Sequence, residues 1–195
     1  NIIINILNYL DRFILLPIIG PVLVNVYFIA STASKMIGLV TTPINNVILS
    51  YLTVGDDNSN LKKFSLINIV AVIASIPLFF IVKYSSLLIV YILYNNYLEK
   101  VYSFINLVVI ICILQIYISV FHPFTMKMIT SKIIVYIQIG YAIIYLMLAF
   151  LFSNLYGLTG FCWATILAML IKLISTNVIV FRVTSLKKGK TTSEL

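Results

Sequence analysis

Charged residues are scarce in this chain, and so are the residues that carry most enzyme chemistry. Only 9% of the 195 residues are charged, with five acidic side chains, one histidine and two cysteines. The histidine is His122, and Cys112 and Cys162 fall in separate apolar segments with no metal-ligand spacing. Glu99, Asp56, Asp57 and Glu194 fall in connections or near the end of the chain. The stretch DDNSN at 56–60 resembles the start of a calcium loop but lacks the glycine and glutamate that complete one. No phosphate-binding glycine motif occurs. These absences argue against an enzyme and against any metal or cofactor.

The shortage of polar residues also excludes a soluble domain. Hydrophobic residues make up 62% of the chain and mean hydropathy is +1.13, too apolar to cover a core with a polar surface. The medium is therefore a bilayer. Spanning helices of about 20 apolar residues are expected at roughly 1–20, 22–52, 65–82, 101–125, 133–153 and 157–181. The fold class is all-α, a polytopic membrane protein with a six-helix transmembrane bundle over 1–182 and a basic cytoplasmic tail over 183–195. The chain opens at Asn1 inside an apolar run, without a basic leader or cleavage site. It reads as the later part of a longer protein.

Basic residues set the expected orientation. Lys62, Lys63, Lys127, Lys132, Arg182, Lys187, Lys188 and Lys190 share one side; Lys83 and Lys100 lie on the other, where the longest connection is about 83–100. The first side is cytoplasmic on this reading, and both ends of the chain lie there. The net charge of +8 then meets anionic lipid headgroups and needs no nucleic acid.

Polar residues inside the apolar runs mark the candidate site. In the second segment Ser31, Ser34, Lys35, Gly38, Thr41, Thr42, Asn45 and Asn46 share one helical face. Ile29, Ala33, Met36, Ile37, Val40, Pro43, Ile44 and Val47 fill the opposite face. A polar stripe around a lysine suits a water-filled cavity; small residues packing against a neighbouring helix are the other reading. In the first segment Asn1, Asn5, Asn8 and Arg12 share a face, with Asp11 beside Arg12. Each such charge costs about 2.5–3.5 kcal/mol at mid-bilayer, so the pair needs a further partner, structural or functional. Pro17, Gly20 and Pro21 allow this helix to bend.

Lys172 is the third buried cation, on a face with Thr165, Ala168 and Ser175, next to a Gly160, Ala164 and Ala168 ladder that fits close helix contact. Cys112, Gln115, Ser119 and His122 align in the fourth segment; Gln138, Tyr141 and Tyr145 align in the fifth. These rows either bond across helices or contact sugars.

The run LNYLDRFILLPIIGPVLVNVYFIASTASKMIGLVTTPINNVILSYL resembles the first two helices of the C-terminal lobe of polysaccharide and O-antigen flippases. These belong to the multidrug/oligosaccharidyl-lipid/polysaccharide exporter superfamily. Asp11, Arg12, Tyr27, Ala30 and Pro43 carry the likeness, while Asn25 stands where the family usually has glycine. LYGLTGFCWATILAMLIKLI at 155–174, with Tyr156, Gly157 and Gly160, resembles the family's penultimate loop and following helix. MITSK at 128–132 fits the preceding cytoplasmic turn.

The resemblance implies one lobe of a two-lobe exporter of the bacterial inner membrane, working by alternating access. Its implied partners are the missing N-terminal lobe, membrane lipids and an undecaprenyl-diphosphate-linked oligosaccharide cargo for surface polysaccharide such as lipopolysaccharide O-antigen. Arg12, Lys35 and Lys172 are then expected on the diphosphate. Asp11 would orient Arg12 or couple an ion, and Asn8, Ser31, Ser34, Gly38, Thr42 and Asn45 would line the cavity. A cation-coupled multidrug exporter would favour acidic residues in the membrane, where only Asp11 is found. A polymerase or glycosyltransferase would need catalytic residues in a large outer loop. A noncatalytic subunit of another transporter is the remaining alternative.

Overall fold

The computed structural model describes the backbone of residues 2–38 and 60–191, and side chains within 15–32, 35–36, 68–122 and 125–182. Helix α1 spans Ile2–Gly38 and α2 Asn60–Leu93. A 3-10 turn at Asn95–Tyr97 leads into α3, Leu98–Tyr102, followed by α4, Ile105–Met128, and α5, Ser131–Thr191. Among the described residues there is no strand. Four helices are long and apolar enough to cross a membrane, with apolar spans at Leu15–Thr32, Asn68–Leu93, Ile105–Met128 and Ser131–Arg182.

The last span cannot be one straight crossing. Helix α5 has 61 residues, which a straight α-helix would stretch over roughly 90 Å. Gly157 interrupts it with φ 59° and ψ −137°, a conformation that glycine adopts without the clash a Cβ would cause. The contacts across this break show that the chain doubles back. Tyr145 and Phe161 have ring centroids 6.3 Å apart, and Lys172 Nζ lies 4.5 Å from the centre of the Tyr141 ring. Along a straight helix the last two residues would be roughly 46 Å apart. Two antiparallel arms, 131–156 and 158–191, are joined at Gly157.

Helix α1 has a similar break. Gly20, with φ 78° and ψ 166°, separates 2–19 from 21–38 and lies between Pro17 and Pro21. The bend expected around Pro17 is thus located at Gly20. The two breaks are neighbours, since a Cβ on Gly157 would lie 3.9 Å from Ile19 Cγ2. Tyr27, beyond the first break, meets Phe161, beyond the second, edge-on at 5.3 Å. So residues 21–38 and the second arm of α5 leave the same end of the molecule together.

Helix α2 runs antiparallel to α4. Tyr117 on α4 donates a hydrogen bond to Asn68 Oδ1 on α2, while Phe79 and Phe80 line a groove with Ile110. Here the structure corrects the expected boundaries. The third segment does not end at 82, and 83–100 is not an extended connection: the helix continues to Leu93. Val82, Ser86 and Val90 repeat every fourth residue and are fully buried, giving α2 a buried ridge whose two valines share a core with Val101 of α3. A single half-buried lysine, Lys83, does not outweigh that ridge. The fourth segment begins at 105 rather than 101, after a turn closed by the Phe104 N–H to the Val101 carbonyl at 3.0 Å. The helical backbone also continues through 183–191, where the tail was expected to begin.

Close approach of the α5 arms depends on Gly160. A Cβ there would collide with the Phe152 carbonyl group, its carbon at 2.8 Å. At Gly140 a Cβ would meet nothing within 4 Å. Gly160→Ala should therefore destabilise the full-length protein by about 1–3 kcal/mol, and Gly140→Ala should be neutral or stabilise it by up to about 1 kcal/mol. Thermal unfolding of both variants in detergent checks this. Equal melting temperatures would contradict the packed-arm geometry.

Candidate functional site

The polar side chains of α4 and both arms of α5 converge about two helical turns inside one end of the molecule. That end is marked by the short link at 129–130, where α4 stops and α5 begins. His122 and Thr125 come from α4, Gln138 from the first arm of α5, and Lys172 and Thr176 from the second. They line a cavity of about 40 Å³ whose apolar wall includes Ile118, Phe121, Ile134 and Leu173.

Helix geometry explains the convergence. His122 and Thr125 are three residues apart and Lys172 and Thr176 four apart, so each pair lies on one helical face. Because the α5 arms are antiparallel, Gln138 is level with Leu173. The Lys172 ammonium rests on the Tyr141 ring, a contact worth about 0.5–2 kcal/mol according to its exposure to water. Tyr141 in turn stacks on Tyr145, with centroids 6.0 Å apart and an interplanar angle of 27°.

The threonine protons are already committed. Thr125 donates to the His122 carbonyl at 2.7 Å, and Thr176 donates to the Lys172 carbonyl at 2.8 Å. Their oxygens keep lone pairs for the cavity. The donors facing it are therefore Lys172, His122 and the Gln138 amide. Among the described side chains only Glu99 is acidic, and it is exposed on α3, near the other end of α4.

The layer continues sideways to α2. Tyr117 packs on Phe121 with centroids 4.5 Å apart and bonds to Asn68. Thr125, Thr176, Asn68 and Tyr117 were not among the sequence candidates. The threonines' spacing from His122 and Lys172 was the available signal. For Asn68, a lone amide in an apolar run, the sequence names no partner.

The other expected residues are distributed differently. Ser31 is buried and donates to the Phe28 carbonyl at 3.1 Å, a helix-internal bond that needs no cavity. Ile29, expected on the opposite face, is buried as well. The described part of 21–38 is thus enclosed on more than its polar side, because Val24, Val26, Tyr27, Ile29 and Ala30 share one core with residues of α2, α4 and α5. Lys35 is exposed and within electrostatic reach of Cys112. Asn8, Asp11, Arg12, Ser34 and Gly38 belong to α1, but their side chains lie outside the described residues, as do Thr42 and Asn45 entirely. The structure brings Lys172 together with His122 and Gln138. It does not place Lys35 in that cavity.

Protein-family models, curated proteins and solved structures yield no match to this chain. Among the described residues no group of three His, Cys, Asp or Glu side chains is arranged to hold a metal. Cys112 and Cys162 are free and buried.

The Lys172–Tyr141 contact is open to a double-mutant cycle. With Tyr141→Leu and Lys172→Met, singly and together, the coupling energy from unfolding of the full-length protein should be about 0.5–2 kcal/mol. Tyr141→Phe, which keeps the ring face, should retain most of it. Zero coupling would mean that the ring does not stabilise the ammonium.

Proposed function

We propose that this chain is the C-terminal lobe of a flippase that moves an undecaprenyl-diphosphate-linked oligosaccharide across the bacterial inner membrane for surface polysaccharide synthesis. Its action is transport by alternating access, without covalent chemistry. The reading takes each part of α1 and each arm of α5 as a separate crossing; with α2 and α4 these make six. The N-terminal lobe of the same protein would complete the cargo path. Membrane lipids would surround both.

The observation that supports this reading is the placement of Lys172. A lysine held between membrane-length helices, with no carboxylate beside it among the described side chains, suits an anionic cargo better than a cationic drug. A diphosphate offers the charge and acceptor oxygens that such a cation recognises. Arg12 and Lys35, with Asp11 orienting Arg12, are the proposed direct contacts. Asn8, Ser34, Gly38, Thr42 and Asn45 are proposed along the path. Lys172 acts on the diphosphate through its field in this conformation, since about 40 Å³ has no room for the group itself.

The expected topology places both chain ends in the cytoplasm. Because both native cysteines are buried, cysteines at Lys132 and Asn154, which are exposed, can be labelled against a low background. Position 132 should react only from the cytoplasmic side and 154 only from outside. Reversed labelling would invert the proposed direction of transport.

Export itself tests the cargo. In the full-length protein at equal membrane abundance, Lys35→Arg should keep part of the export of lipid-linked oligosaccharide, because charge is retained while shape changes. Lys35→Gln and Lys35→Glu should each lose about ten-fold or more, the loss expected for a charged hydrogen bond. Full export by Lys35→Glu would remove Lys35 from the diphosphate site.

A further inference from the structure

The cavity between α4 and the α5 arms has a donor set that the cargo reading uses only through the field of Lys172, and we infer that it binds a small monovalent anion of chloride size. The size limit comes first. About 40 Å³ accommodates roughly two or three waters or one halide, but not a phosphate ester.

Charge decides between water and halide. Lys172 brings a full positive charge, while His122 and Gln138 add N–H donors on the same cavity. The Gln138 carbonyl and the hydroxyl oxygens of Thr125 and Thr176 are acceptors, and they can receive hydrogen bonds from the ammonium. They are neutral dipoles, so none of the described side chains lining the cavity compensates its charge. The Tyr141 ring offsets only part of that charge, because a cation–π contact contributes about 2 kcal/mol when desolvated, whereas transferring an ion out of water costs several. Glu99, the acidic group among the described side chains, is on α3, near the other end of α4. An anion on Lys172, His122 and Gln138 supplies the missing counter-charge and uses the donors that the threonines cannot provide.

A metal cation is disfavoured by the same inventory, since among the described side chains a lysine and no carboxylate face the cavity. The site is independent of the cargo assignment: it depends on the described side chains of α4 and α5 alone.

The test uses the full-length protein purified in detergent without halide. Thermal unfolding is followed while gluconate is replaced by chloride or bromide at constant ionic strength, with inorganic phosphate in a separate series. Chloride and bromide should raise the melting temperature saturably; phosphate should not. Lys172→Met should weaken the fitted chloride affinity about ten-fold or more, and Lys132→Met, at an exposed position, less than about two-fold.

If Lys172→Met does not fold, Gln138→Leu provides the same comparison, with an expected loss of about three- to ten-fold for one neutral donor. Absence of a chloride effect in the wild type would assign the cavity to water and overturn the inference. So would an unchanged affinity in the folded variant, or an equal response to phosphate. Export is not read in this experiment, so its failure would leave the flippase proposal standing, and failure of the flippase proposal would leave the anion site.

Discussion

Phe161 is fully buried between Tyr27 and Tyr145 and meets both rings edge-on. This contact ties residues 21–38 of α1 to both arms of α5, with Phe161 about one turn beyond Gly157. Edge-to-face aromatic pairs contribute about 0.5–1.5 kcal/mol beyond their buried area. Their directionality matters as much as their energy: shifting either arm by one turn would take a ring out of reach. Gly160 lies beside Phe161 and lets the Phe152 backbone approach where a Cβ would collide. Large rings and an absent side chain thus fix the arms together.

The economy of the breaks follows from the membrane. Unpaired backbone donors and acceptors are costly in hydrocarbon, so a chain that reverses there gains from keeping irregular backbone short. At Gly20 and Gly157 only one residue in each run leaves helical geometry. Each has a positive φ that a side chain would resist. Glycine placement therefore governs where α1 and α5 divide, while proline does not divide a run: Pro77 lies inside α2, which stays one continuous helix through it.

Much of this architecture was legible in the sequence because lipid imposes a simple rule on composition. Apolar length located the helical runs, and the Gly20 and Gly157 neighbourhoods were correctly read as interruptions. The end of α2 was misread because Lys83 was weighed as punctuation, whereas burial at Val82, Ser86 and Val90 depends on neighbouring helices, whose approach no local pattern reports. The polar stripe around Lys35 had a similar limit. Helical periodicity groups Ser31 with Lys35, yet one is buried and the other exposed, since neighbouring helices cover residues 24–31 more fully than the next turn. For the Lys172 layer, spacing placed side chains on faces but did not say which faces meet. The antiparallel pairing of the α5 arms, set by Gly157 and Phe161, determines that Gln138 and His122 share a cavity with Lys172.

That pairing also gives the molecule an electrical direction. Lys127 and Lys132 flank the end where α4 passes into α5, and the Lys172 layer lies about two turns further in, roughly 10 Å along the helices. Exposed Tyr84, Tyr91 and Tyr102 gather toward the other end, as tyrosines do at a membrane interface. An anionic group entering from the lysine-rich end would meet positive potential before touching Lys172. At a separation of ~10 Å and an effective dielectric constant of ~20, one unit charge on each partner interacts by about 1.7 kcal/mol. A counter-anion seated on Lys172 would cancel much of that attraction. If both proposed anions bind, their affinities are therefore coupled, and the coupling is reciprocal: cargo near the layer weakens the small anion by the same factor by which the small anion weakens cargo. The 40 Å³ cavity makes this an electrostatic competition, because the cargo headgroup and the small anion need not occupy the same volume to oppose one another.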